Sequence, residues 1–444
     1  MRQQMMKGRT RISGKTILAC LALCLINPGL AAPPALPDAP TYRGEIRRGV
    51  DGTLTITPSA SFDSASDETS ASAPRTLRVG RFQPLTTIAS AAKEARNGDT
   101  VEIEAGDYPG DVAIWNQDQL TIRGVGGKAR LLANGRHVER KGIWIIRGGR
   151  ITVDNIEFSG AKVEHRNGAG IRFEKGHLIL RNCAFFDNEN GILTHNDGIS
   201  ELDIENSEFA RNGYGDGQTH NVYVGAIKRF RMIGSYSHHA NVGQLVKSRA
   251  RETHILYNRL TDETGNASYE IDLPSGGLAY VIGNIIQQSP NATNGHMISF
   301  GVEGYKWDEN TLYLINNTLI DNRPANGRFL LLKPGPASIR AINNILYGPD
   351  ALNPADRPTA ASRPDGQIPG IYENNPRVRL DEFNHPENYD YTLKPGSRLR
   401  NTAIKSGSNA LEAKHQYLHP MSLLEVKTPI RHPGAVQSDL IGRQ

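Results

Sequence analysis

Along most of the chain the hydrophobic residues fall into short runs, and each run ends at the same kind of punctuation. A strand-like stretch closes on a hydrophobe, an Asn or another small residue follows, and one or two hydrophobes come next. The pattern recurs as Ile122-Arg-Gly124, Val153-Asp-Asn155-Ile, Leu180-Arg-Asn182-Cys-Ala-Phe185, Ile204-Glu-Asn206-Ser-Glu-Phe209, Ile233-Gly-Ser235-Tyr, Leu256-Tyr-Asn258-Arg-Leu260, Ile282-Gly-Asn284-Ile-Ile286, Ile315-Asn-Asn317-Thr-Leu319 and Ile342-Asn-Asn344-Ile-Leu346. From Asn155 the anchors are spaced by 27, 24, 29, 23, 26, 33 and 27 residues. A variable period of strand-like units predicts a solenoid, because each unit is too small to bury its own apolar face and must stack on its neighbours. Asn suits the bend, since it tolerates left-handed dihedrals and its amide can bond the equivalent residue of the next coil. A leucine-rich repeat does not fit, as the Leu-x-x-Leu-x-Leu pattern is absent and the intervals are too short and polar for helices.

Before the repeats, Leu85, Ile88, Ala89, Ala92 and Ala95 form a helical stripe, opened by Thr86 or Thr87 and stopped by Asn97-Gly98. This helix, the strand around Thr100 that follows it, and the Asn-punctuated coils together resemble the right-handed parallel β-helix proteins of the pectin-lyase-like superfamily. The resemblance covers residues 76–400 and implies an all-β solenoid of about ten coils with an N-terminal capping helix. Tyr391-Thr-Leu-Lys-Pro-Gly-Ser-Arg-Leu resembles a last coil, and residues 401–444 are expected to form a C-terminal tail packed on the solenoid. The superfamily includes lyases, hydrolases, epimerases and binding proteins, so the resemblance implies a fold more sharply than an activity.

The N-terminus reads as an export signal: Arg2, Lys7, Arg9, Arg11 and Lys15 precede an apolar run from Ile17 to Ile26, and cleavage is expected after Ala31. Removing residues 1–31 takes away five basic and no acidic residues, so the 46 acidic residues would be matched by as many basic ones. A near-neutral product gives no overall case for nucleic acid or an anionic membrane. No second apolar segment is long enough to span a bilayer. Cys20 and Cys24 leave with the signal, and Cys183 is expected to be a small buried hydrophobe. Residues 32–75, rich in Pro, Ala, Ser and Asp, read as a disordered linker apart from the alternation in Gly52-Thr-Leu-Thr-Ile-Thr57. A periplasmic or extracellular monomer is expected.

The candidate chemistry lies between Gly213 and Gly277, where three strand-like runs carry ionisable and aromatic groups in place of aliphatics. Counting back from the anchors, His195, Tyr223, Lys247 and Asp272 lie 11, 12, 11 and 12 residues before Asn206, Ser235, Asn258 and Asn284, which predicts one outward column. Such a column suits proton abstraction next to the carboxylate of a uronic acid, provided donors neutralise that carboxylate. Lys247 is the expected base, needing a pKa lowered by roughly 3 units, with Arg249 and Arg251 nearby to depress it. As an exposed side chain it would change stability by less than about 0.5 kcal/mol on truncation. Tyr223, His220 and Arg249 are further catalytic candidates, and Arg251, His195, His238 and Tyr269 are candidate sugar contacts. Of the adjacent His238 and His239, at most one is expected to matter. Glu270, Asp272 and Glu303 could together hold a hard cation such as Ca2+.

Val246-Lys-Ser248 followed by Tyr257-Asn-Arg259 also resembles the Lys-Ser segment of the chondroitinase B and alginate lyase family, which implies a catalytic lysine at Lys247. That family has an arginine before a glycine in the next coil, where this chain has Asp272-Leu-Pro-Ser-Gly276. The expected activity is β-elimination on an acidic polysaccharide, with C5 epimerisation of a uronate or non-catalytic polysaccharide binding and scaffolding as alternatives.

Overall fold

The computed structural model describes residues 44–48, 54–58, 73–352, 369–426 and 429–438. The chain divides into two units, Met1–Ala71 and Ser72–Gln444. In the first, Gly44–Arg48 and Leu54–Pro58 pair as an antiparallel hairpin. The rest of the expected linker up to residue 72, and the expected export signal, lie outside the described residues.

The second unit is a parallel β-helix whose successive coils contribute strands to three faces. The first sheet holds nine parallel strands, from Ala113–Trp115 to Arg328–Leu332. The second and third faces are joined by the long strand Gln119–Leu132, which pairs with Arg150–Asp154 near one end and Ile156–Ser159 near the other. Crossovers between parallel strands are right-handed in nearly all proteins, which gives the solenoid its hand. Inward positions of successive coils meet in columns. Trp115, Trp144, Phe158, Phe185 and Phe209 run in continuous ring contact up the interior, with centroids 5.2, 4.9, 5.0 and 4.7 Å apart. The helix Ile88–Glu94 caps the N-terminal end with Ile88 and Ala91 buried. Thr87 caps its backbone as expected, and Asp111 accepts from the Ile88 and Ala89 N–H groups at 2.6 and 2.9 Å.

The bend between the second and third sheets divides two jobs between consecutive residues. The first adopts the left-handed conformation: Asn155, Asn182, Asn206, Gly234, Tyr257, Gly283, Asn316 and Asn343 all have φ between 46° and 68°. The second forms the ladder. Ser207 and Ser235 accept through their hydroxyls, after which Asn258, Asn284, Asn317, Asn344 and Asn375 each bond the next at 2.8 to 3.0 Å. The expected anchors at Asn155, Asn182 and Asn206 are therefore the bend residues, one position before the ladder. Cys183 takes a ladder position, fully buried, and burial pushes its thiol up to about 12. A second ladder, Asn188 to Asn212 to Asn221, closes the corner into the first sheet.

The segment after the last coil covers two of the three outer faces. Leu411 and Ala413 pack on Tyr257, Ile282, Ile315 and Ile342, outside the second sheet. Phe383, Tyr391, Leu399 and Tyr417 pack with Tyr236, Ile285, Ile320 and Ile345, outside the third. These apolar outward residues explain why the tail docks there. Neither cluster includes a residue of the first sheet, whose outward column mixes aliphatic residues such as Ile145, Leu193 and Leu331 with Arg172, Tyr223, Lys247, Asp272 and Ser299.

Candidate functional site

On the first sheet, strand register places Arg172, Leu193, Tyr223, Lys247, Asp272, Ser299 and Leu331 in one column. Val222, Val224, Val246, Ile271 and Leu273, which alternate with them, point into the core. Tyr223, Lys247 and Asp272 therefore share the outward face of adjacent coils, about 4.8 Å apart along the solenoid. The Lys247 ammonium lies 3.2 Å from Asp272 and 3.7 Å from Glu303, and 5.5 Å from the centre of the Tyr223 ring. Ser299 donates to the other Asp272 oxygen. Arg249 makes a two-pronged pair with Glu303, at 2.5 and 2.9 Å, and also stands beside the Tyr223 hydroxyl. Glu303 comes from the connection after the strand His296–Phe300. Trp307, on the same connection, donates its indole N–H to the Arg249 carbonyl at 3.2 Å, so this connection forms a wall of the groove.

The charges are interlocked. The bond to Glu303 holds the Arg249 guanidinium above its usual range, and Arg249 in turn holds the Glu303 carboxyl below the usual carboxylate range. His220 lies behind Tyr223, ring centroids 4.8 Å apart and edge to face, and its Nδ1 accepts the Gln244 backbone N–H at 3.2 Å. Burial, reinforced by the charges of Lys247 and Arg249, pushes its pKa well down, so the imidazole is neutral. The expected environment of Lys247 is reversed: its side chain is only 11% exposed and its charged neighbours are acids. Lys247 is thus one member of an ion-pair network with Asp272, Glu303 and Arg249.

Several expected members lie elsewhere. His195 does not join the column. Six residues, 195–200, connect its strand to the next, against three, 249–251, after Lys247, so Leu193 takes the aligned position and His195 is exposed on the turn. Arg251 is exposed on the turn into the second sheet, outside the Lys247 network. His238 belongs to the third sheet, stacked on Tyr236 at 4.0 Å and bonded to His239 and Glu208, so neither histidine of that pair reaches the groove. Tyr269 is partly buried three residues before Asp272 in the same coil.

The expected cation ligands do not converge. Glu270 is fully buried, with neither carboxylate oxygen bonded, while Asp272 two residues on faces outward and is matched by Lys247, and Glu303 is matched by Arg249. Among the described residues no group of three or more His, Cys, Asp or Glu is placed to hold a metal ion. A set already neutralised by Lys247 and Arg249 does not suit Ca2+, which needs several unshared oxygens.

Arg172 and Trp307 escaped the sequence reading. Arg172 is aligned with Lys247 in the repeat, 11 residues before the ladder position Cys183 as Lys247 is before Asn258, which is the signal that could have found it. Trp307 sits in an inter-strand connection that the period does not predict.

No family model matches the chain, and no curated protein matches it. Among solved structures, the crystal structure of pectate lyase Pel9A is similar with a TM-score of 0.45 and 12% identity, covering 82% of this chain and 96% of that chain. The resemblance of the Lys247-Ser248 segment to the chondroitinase B and alginate lyase family gains no support from these comparisons. No helix among the described residues is long and apolar enough to cross a membrane.

Proposed function

We propose that this is an exported polysaccharide lyase that cleaves a uronate-containing polymer by β-elimination in the groove of the first sheet. The observation that carries the reading is the shared outward column of Tyr223 and Lys247, with the Lys247 ammonium 5.5 Å from the centre of the Tyr223 ring and Arg249 beside its hydroxyl. In this reading Arg249 and Lys247 neutralise the sugar carboxylate, and Tyr223, acting as the phenolate, takes the proton next to it. The electrons of that C–H bond form the carbon–carbon double bond, the glycosidic C–O bond breaks, and the departing oxygen takes its proton from the Tyr223 hydroxyl that the first transfer has formed. Neutral His220 packs the Tyr223 ring without adding charge.

The test is incubation of the protein with a panel of uronate polysaccharides, read by the ultraviolet absorbance of the unsaturated product. Turnover by the parent protein and a loss of about 100-fold or more in Tyr223→Phe are expected. Unchanged turnover in Tyr223→Phe would remove it from the mechanism. One observation favours a second reading, a non-catalytic polysaccharide binder: Lys247 and Arg249 are already paired with Asp272 and Glu303. A binder would retain the polymer intact, whereas an epimerase would change the sugar without the absorbance.

A further inference from the structure

The cations of this groove are nearly all matched. Lys247 and Arg249 share Asp272 and Glu303, and Lys141 and Arg147, further along the same sheet, share Glu139 and Glu174. Arg172 is the exception. It stands in the outward column with Leu193 between it and Tyr223, partly buried, its Nε buried without a hydrogen-bond partner. No carboxylate lies within ion-pair distance of it among the described residues, because the neighbouring Glu174 is held by Arg147 and Lys141. Burial draws the guanidinium below its usual range, with Glu174 only partly opposing.

A half-buried guanidinium with a buried, unpartnered Nε and no carboxylate beside it carries a desolvation cost, and the sheet does not require one, since Ile145 and Leu193 fill the positions on either side. We propose that Arg172 is an anion subsite, which binds a carboxylate of the polymer on a sugar away from the reacting one. The inference rests on the lyase reading for the site but not for the charge of its ligand. Two coil steps of about 4.8 Å separate Arg172 from Tyr223. A polymer touching both therefore runs along the solenoid axis, over the apolar floor of Leu193. Arginine suits the task because its planar fork meets both carboxylate oxygens.

The experiment measures binding by calorimetry in a Tyr223→Phe background, using hexamers of galacturonate and of mannuronate and a neutral glucose hexamer. Arg172→Gln is expected to weaken at least one uronate hexamer about tenfold or more and to leave the neutral one unchanged, with Arg172→Lys in between. The unfolding midpoint should not fall in Arg172→Gln, as no protein partner is orphaned; a large fall would mark a structural arginine and overturn the proposal. Equal uronate binding by the Tyr223→Phe protein and its Arg172→Gln derivative overturns the subsite alone. Failure of Tyr223→Phe and of the unmutated protein to bind either uronate hexamer overturns the subsite and the lyase reading together.

Discussion

Replacing Lys247 by Met keeps most of the side-chain volume and removes only the charge, so its effect isolates the Lys247–Asp272 pair. Asp272 is buried, and after the substitution only Ser299 still bonds it. Breaking a buried pair from one side costs about 3–5 kcal/mol, because a charge is left unmatched. Protonation sets a ceiling on that cost, since neutralising an ordinary aspartate at pH 7 takes about 4 kcal/mol, from roughly 3 pH units at 1.36 kcal/mol each. With Ser299 retained, about 3 kcal/mol is expected, far above the loss an exposed lysine would give. At pH 5 the ceiling falls to about 1.5 kcal/mol and the deficit should shrink with it. Urea unfolding of Lys247→Met, Asp272→Asn and the double variant gives the coupling directly, and about 2 kcal/mol is expected. A coupling below about 0.5 kcal/mol, or a deficit independent of pH, would refute the view that these groups form one buried pair.

Two further expectations concern the frame. Asn284→Ala removes four buried bonds, to Asn258 twice, to Ile255 and to Asn317, and should cost about 4 kcal/mol in chemical unfolding, whereas Asn284→Ser, the residue the ladder uses at Ser207 and Ser235, should cost about half. Burial pushes Asp262 up to about 7 and Glu270 well above its usual range, where Asp262 adds to the effect. For a carboxyl with a raised folded pKa, the folded state holds the proton more tightly, so stability is greatest below the unfolded value near 4 and falls as pH rises towards 7. Asp262→Asn should flatten that fall in unfolding midpoints measured between pH 4 and 8, and an unchanged slope would show that another group sets it.

The solenoid was legible because stacking leaves a repeating mark, and the capping helix because its stripe and stop signals are local. The outward alignment of Tyr223, Lys247 and Asp272 was legible too, since the turns after their strands are short and similar in length. Where turn length changes, counting fails: the longer turn after Thr194 moves His195 off the column and hides Leu193 in it. Alternation is equally local, and a corner can break it. Glu270 takes the inward position that Asn221 fills with ladder bonds two coils earlier, so sequence proximity to Asp272 said nothing about sharing a site. The acids that pair with Lys247 come from Asp272 in the next coil and Glu303 in the coil after that, and no single repeat records such long-range matching.

The most direct test is a crystal structure of the Tyr223→Phe protein with a uronate hexamer bound. The oligomer is expected along the first sheet, with one sugar carboxylate at Arg249, the adjacent ring carbon facing position 223, and a second carboxylate at Arg172. Density for the sugar in the groove between Tyr280 and the tail residues Lys414 and His415, with the first sheet bare, would contradict it.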